Sequence, residues 1–163
     1  MIFIGIGSNL SSNLYGKPLN NCLEAIKILK KKFTVNSISS WYESEPVPVS
    51  DQPWYINGVL SIKTHLSPTK ILEILLDIEQ NFGRVREKKN EARIIDLDLL
   101  SYNNITLNTQ SLVIPHPRMH ERVFVLKPLL DINPEWIHPE LKLNVRVLLK
   151  KIKNKQNIKK LKN

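Results

Sequence analysis

Two stretches of helical period, each entered through a proline and separated by β-prone runs, constrain what this chain can fold into more than any other feature. In SPTKILEILLDIEQNFG (67–83), Ile71, Leu75, Ile78 and Phe82 recur on one helical face. Ser67 stands where an N-cap would, Pro68 at the first helical position and Gly83 where a left-handed residue stops a helix. An earlier helix is predicted from Pro18 to Lys31, with Leu19, Cys22, Leu23, Ile26 and Leu29 at helical spacing. IFIGIG (2–7) precedes it as a buried strand. FTVNSISSWYE (33–43), weakly alternating, and YINGVLSIKTH (55–65) lie between the helices, and RIIDLDLL (93–100) follows them. Strand-helix-strand-strand-helix-strand is the ferredoxin-like βαββαβ order, an α+β fold whose antiparallel sheet is flanked by helices. Helices near 121–130 and 144–153 would add C-terminal helical elements. ESEPVPVSDQPW (43–54), with Pro46, Pro48 and Pro53, excludes regular structure.

The length of 163 residues fits one domain with a proper core, assigned to residues 1–149. The net charge is +9, but residues 150–163 carry seven lysines and no acid, so nine less seven leaves only +2 for the rest. That tail is expected to be a basic, solvated terminus rather than a nucleic-acid binder. No apolar run approaches the roughly 20 residues of a membrane span, and MIFIGIGSNL lacks the basic start and cleavage site of a secretion signal. The lone Cys22 excludes an internal disulfide, and the reading is a cytoplasmic, monomeric protein not fused to a second enzyme.

RIIDLDLL raises a sharper question. On a strand, Asp96 and Asp98 share one face, with Cα atoms roughly 7 Å apart. Two carboxylates so close to an apolar sheet repel each other and lose hydration. An Asp-x-Asp alone fits a wet strand face as well. Here, however, Ile94 and Leu100 on the aspartate face are apolar, and Arg84, Arg86, Lys88, Lys89 and Arg93 lie just upstream. Hard carboxylate oxygens at this spacing suit magnesium, which takes its other ligands from water and substrate phosphates. With arginines nearby, the combination describes phosphoryl transfer. Gly7-Ser8-Asn9 is no P-loop, and its glycines serve turns equally well; a polymerase-β-type pairing of Gly-Ser with the acids fails on spacing, since Ser8 and Asp96 are 96 − 8 = 88 positions apart. In PHPRMHER, Pro115 and Pro117 rule out a regular helix through His116 and His120, leaving a rigid loop that presents His116, Arg118 and Arg122 to an anion. Tyr55 and Asn57 share a strand face suited to a planar heterocycle, although Tyr55 and Phe124 serve equally well as core.

Six blocks in order, IGIGSNL, SSWYESEPV with DQPWYINGV, IEQNFGRVR, RIIDLDLL, IPHPRMHERVFVLKPL and INPEWIHP, resemble the 6-hydroxymethyl-7,8-dihydropterin pyrophosphokinase family of folate biosynthesis over about residues 1–140. The resemblance implies transfer of the β,γ-diphosphate of ATP to the pterin hydroxymethyl oxygen, releasing AMP. It implies two magnesium ions on Asp96 and Asp98, and catalytic roles for Arg84 and Arg93. Arg86, His116, Arg122 and Glu79 would contact the nucleotide. Tyr55 and Phe124 would sandwich the pterin, Asn57 would read its polar edge, and Ser44 and Val47 would close the pocket through backbone groups. Lys89-Asn90-Glu91-Ala92-Arg93 departs from the family pattern, with Asn90 in place of a tryptophan and Glu91 in place of a glycine, which implies slower closure of that loop. The alternative is a small basic RNA-binding domain on the same fold. It would need exposed aromatics that IFIGIG and the 93–102 strand do not supply.

Overall fold

The computed structural model describes residues 1–83, 92–152 and 156–162. Its central sheet is antiparallel and six-stranded: β1 (Ile2–Ser8), β2 (Thr34–Ile38), β3 (Tyr42–Ser44), β4 (Tyr55–Lys63), β5 (Asp96–Tyr102) and β8 (Ile158–Lys160). β1 lies between β4 and β5, and the far edge of β4 is shared by β2 and β3, so the ferredoxin-like order stands with its second strand broken in two. The break explains the weak alternation of 33–43, where Ser39–Trp41 link two short strands. A separate hairpin, β6 (Leu107–Asn108) with β7 (Val113–Ile114), follows β5.

The helices are α1 (Pro18–Lys32), α2 (Pro68–Asn81), α3 (Val123–Ile132) and α4 (Val145–Ile152). The Ser67 hydroxyl caps α2 by accepting from Lys70 N at 3.3 Å, and Gly83 has φ +85°. A side chain at such a φ would be strained, so the residue after the last turn is one only glycine adopts freely. α1 buries Cys22, Ala25, Ile26 and Leu29. Leu23, expected inward, is 43% exposed, because the 22/25/26/29 stripe turns it one residue off the sheet.

Each sheet face has its own core. Ile2, Ile4 and Ile6 of β1, with Leu97 and Leu99 of β5, pack under α1 and α2. Phe3 of β1, Val59 of β4 and Leu100 of β5 pack with α3 and α4. On this second face β1 continues from Phe3 to Gly5 and Gly7, and these line a cavity rather than fill a core. A bulge lets β5 follow. Ile4 pairs with Leu99 and Phe3 with Ser101, leaving Leu100 as the extra residue, so Leu100 enters the core while Asp96 and Asp98 stay beside the cavity. Ile94, expected on the aspartate face, packs instead with the α1/α2 core.

The C-terminal segment departs from expectation. Residues 150–152 complete α4, and Ile158–Lys160 add an edge strand to β3, pairing Ser44 with Ile158 and Tyr42 with Lys160. A lysine-rich composition predicts solvation, but these lysines find acids: Lys159 reaches Glu43 at 2.7 Å and Lys160 reaches Asp131 at 3.7 Å.

Candidate active site

The ends of β1, β4 and β5 open onto a cavity of about 880 Å³ on the α3/α4 side of the sheet. It is at the upper end of the roughly 300–1,000 Å³ typical of small-molecule sites. All eleven described candidates line it: Ser44, Val47, Tyr55, Asn57, Glu79, Arg93, Asp96, Asp98, His116, Arg122 and Phe124. Arg84 and Arg86, with Asn90 and Glu91, lie outside the described residues.

At one end the acidic pair meets its cations. Arg93 Nη1 donates to Asp96 Oδ1, and Arg122 Nη1 to Asp98 Oδ2 at 3.4 Å. Arginines therefore compensate the carboxylates that the strand places together. Burial works to lower the pKa of Arg93, but Asp96, Tyr55 and Asp98 outweigh it and hold the guanidinium charged. Arg122 is lowered, by burial first and by Arg118, with Asp98 opposing.

His116 Nε2 stands 3.9 Å from Asp98 Oδ2, yet burial, reinforced by Arg122 and Arg118, pushes its pKa down to about 4. The ring is neutral at physiological pH. Its Nδ1 accepts from Arg118 N at 3.2 Å, which assigns the ring proton to Nε2, the nitrogen facing the acids. His116 is thus an uncharged donor, which does not add to the repulsion among the arginines.

The other end is flatter and less charged. Asn57 Nδ2 donates to Ser44 Oγ at 2.9 Å and to Tyr55 O at 3.2 Å, which fixes the amide plane. Its Oδ1 sits over Gly7, where a Cβ would stand 3.3 Å away. The Ser44 hydroxyl, expected to matter less than its backbone, is what orients Asn57. Tyr55 is half-buried, its hydroxyl 3.3 Å from Gln52 Oε1, and desolvation raises its pKa. Phe124 takes the Arg122 guanidinium over its ring at 5.4 Å. Below the floor, Glu79 is fully buried and accepts from Leu97 N at 2.8 Å. It bonds the β5 backbone between the two aspartates.

Asn9 is a site residue that the sequence does not announce. It is 2% exposed. Its Oδ1 accepts from Arg93 N at 2.7 Å, its own N–H and that of Leu10 both donate to Arg93 O at 3.0 Å, and its Nδ2 donates to Pro53 O at 3.0 Å. One amide thus joins β1, the residue before β5 and the proline-rich loop. Asn21 of α1 steadies the turn by donating to Leu10 O at 2.9 Å. Only the polar S-N after a buried strand hinted at this, and partners 84 positions away leave no trace in spacing.

The donor set suits a hard cation. Among the described residues no group of three or more His, Cys, Asp or Glu could hold a metal unaided. Asp96 and Asp98 give carboxylate oxygens only, which fits magnesium sharing its shell with water and substrate phosphates.

A ferredoxin-like sheet carrying an acid pair, flanking arginines and an aromatic-amide pocket in one cleft defines a phosphate-handling α+β domain. Solved structures share the fold: wild-type Plasmodium falciparum HPPK-DHPS superposes with a TM-score of 0.69 at 16% identity, over 92% of this chain and 44% of that one. The chain belongs to the 7,8-dihydro-6-hydroxymethylpterin-pyrophosphokinase (HPPK) family, whose model matches residues 3–134. It is 41% identical over 137 residues to the Haemophilus influenzae 2-amino-4-hydroxy-6-hydroxymethyldihydropteridine pyrophosphokinase, covering 84% of each chain. It is also 37% identical over 158 residues to a folic acid synthesis protein of Dictyostelium discoideum. The chain spans 23% of that protein, and 20% of the corresponding one from Pneumocystis carinii.

Proposed function

We propose that this chain transfers the β,γ-diphosphate of ATP to the hydroxymethyl oxygen of 6-hydroxymethyl-7,8-dihydropterin, giving AMP and the pterin diphosphate. Family membership supports the reaction, and one observation carries it to these residues: the acid-arginine end and the Tyr55/Asn57/Phe124 end belong to a single cavity. The acceptor and the phosphates would therefore lie side by side.

In this reading Asp96 and Asp98 hold magnesium, two ions as the resemblance implies, which bridges the triphosphate and spreads its charge. Arg93 and Arg122 exchange their carboxylate partners in part for phosphate oxygens, where charge on the transferring group is neutralised. His116 adds a neutral Nε2–H donor. Glu79 acts beneath the floor by holding Leu97 N, and so the spacing of the aspartates, rather than as the direct nucleotide contact the resemblance implied. Tyr55 and Phe124 bracket the pterin ring, and Asn57 Oδ1 accepts from its N–H edge. With His116 held neutral down to about pH 4, no described group is tuned as a general base. Positioning and charge supply the effect in a loose phosphoryl transfer. Arg84 and Arg86 keep the roles the resemblance gives them. Monomeric state and cytoplasmic residence are part of the same reading, supported by the buried, free Cys22. No helix among the described residues is long and apolar enough to cross a membrane.

Incubation with ATP, magnesium and the reduced pterin tests it. Pterin-dependent AMP without ADP is expected, and ADP as product would overturn diphosphate transfer. The RNA-binding alternative gains nothing from the cavity face, where β1 offers Gly5 and Gly7 and β5 two acids.

A further inference from the structure

The family match ends at residue 134, yet the last described residues of the chain close on the pterin end of the cavity. Nearly every polar group of Glu45 is held from the C-terminal segment. Asn157 N and Nδ2 each donate to its carboxylate at 2.8 Å, Gln156 Nε2 donates to its carbonyl at 2.7 Å, and its own N–H donates to Asn157 O at 3.2 Å. The hydrogen bonds from Asn157 keep the Glu45 carboxyl below its ordinary pKa, so it is an acceptor throughout the neutral range.

Glu45 is the first residue of the loop that carries Val47 and leads to Tyr55. The same segment grips the loop's other end, since Lys159 Nζ lies 5.7 Å from the Trp54 ring centroid while pairing with Glu43 at 2.7 Å. Between these points Ser44, which orients Asn57, is flanked in the sheet by Tyr55 of β4 and Ile158 of β8. Leu161 N then donates to Trp41 O at 2.9 Å and extends the edge. A surface tail with no role in the site would not need to spend five such contacts on the two ends of one loop.

We propose that residues 156–161 are a strap that positions the 45–54 loop for the pterin, with Asn157 and Glu45 as its positioning pair. Neither residue touches the acid-arginine end, so the strap acts on one substrate and not the other. The inference rests on the pterin-site reading above for its ligand, but not for its mechanical part.

The Asn157→Asp variant of the full chain sets two carboxylates against each other. The double variant Glu45→Gln/Asn157→Asp restores a hydrogen bond with donor and acceptor reversed. Equilibrium binding of the reduced pterin and of magnesium-ATP, and hydrogen exchange of the 44–55 peptide, are measured for both. For Asn157→Asp, pterin affinity is expected to fall about tenfold, the scale of a charge-assisted hydrogen bond lost at a half-exposed site. Magnesium-ATP affinity should stay within about twofold, exchange in 44–55 should rise, and the double variant should recover most of both losses. Unchanged exchange in 44–55 overturns the strap whatever the enzyme does. Raised exchange with unaltered pterin affinity, or equal losses for both ligands, overturns its role in positioning the pterin. A wild-type chain that binds pterin but makes no AMP would sink the diphosphate-transfer reading alone. One that binds no pterin would sink the pterin-site reading and the positioning role with it, while exchange would still judge the mechanical strap.

Discussion

Replacing Asn9 by leucine removes a polar side chain of similar size from a site where three segments meet. Two bonds disappear with it: Oδ1 to Arg93 N, 2.7 Å, and Nδ2 to Pro53 O, 3.0 Å. The Arg93 N–H is left buried without its acceptor, and a stranded donor costs about 1–3 kcal/mol, against about 1 kcal/mol for the ordinary bond to Pro53. The backbone bonds from Asn9 and Leu10 to Arg93 O do not depend on the side chain and should survive. The expected destabilisation is therefore about 2–4 kcal/mol, or roughly 5–15 °C in melting temperature for a chain of this size. Catalysis should suffer more than stability, because the guanidinium that pairs with Asp96 hangs from the loosened backbone. Misplacement by about 1 Å can cost on the order of 100-fold in rate. The assay is AMP formation under saturating substrates, at least 15 °C below the variant's measured melting temperature, so that unfolding does not enter the rate. Asn9→Leu with a melting temperature within about 2 °C of wild type and an unchanged kcat would refute the idea that this amide holds Arg93 in place.

Other expectations follow from single contacts. Asp98→Asn should abolish magnesium-dependent enhancement of ATP binding, read by calorimetry with and without the metal, and lower kcat/KM by at least about 100-fold; retained enhancement would remove Asp98 from the cation site. Gly58→Ala sets a Cβ 2.9 Å from Trp41 Cζ3, an overpacking worth about 1–3 kcal/mol in urea unfolding, and a neutral result would mean that the indole moves at no cost. His116 and His138 both have pKa values pushed down to about 4 by burial. In the unfolded chain they would bind protons from about pH 6.5 downward, so stability is whole above that pH and falls as pH drops towards 4. The limiting slope is about 1.4 kcal/mol per pH unit for each imidazole. Equal unfolding free energies at pH 6.5 and 5 would show that neither ring stays neutral in the folded protein.

The sequence makes α2 legible almost residue by residue because its signals are local: a capping hydroxyl, a proline, a stripe and a glycine stop within one segment. The Asp96/Asp98 face was readable for the same reason, since strand alternation acts over two residues. What composition hid was set by distant partners. Lys159 and Lys160 read as solvated tail because nothing near them in sequence is acidic, whereas Glu43 and Asp131 wait across the fold. Leu23 was misplaced because the stripe on α1 includes Ala25, a residue too small to dominate a hydrophobic pattern. Asn9 and Glu79 escaped or were misassigned because a buried polar side chain looks like any other until its partner is known, and theirs lie 84 and 18 positions away.

The series Phe3, Gly5, Gly7 along β1 has a consequence for how this cleft can change. From the filled end of the sheet to the open end, one strand passes from a full side chain to none, so the floor is bare main chain with no rotamer to rearrange when a ligand arrives. Substitution there can only add volume; it has no contact to take away. At the walls the asymmetry reverses, since Tyr55, Asn57 and Phe124 have atoms to lose. The depth of the site is thus guarded by the smallest residues in the strand and its selectivity by the largest around it. Drift in one leaves the other no means of correction.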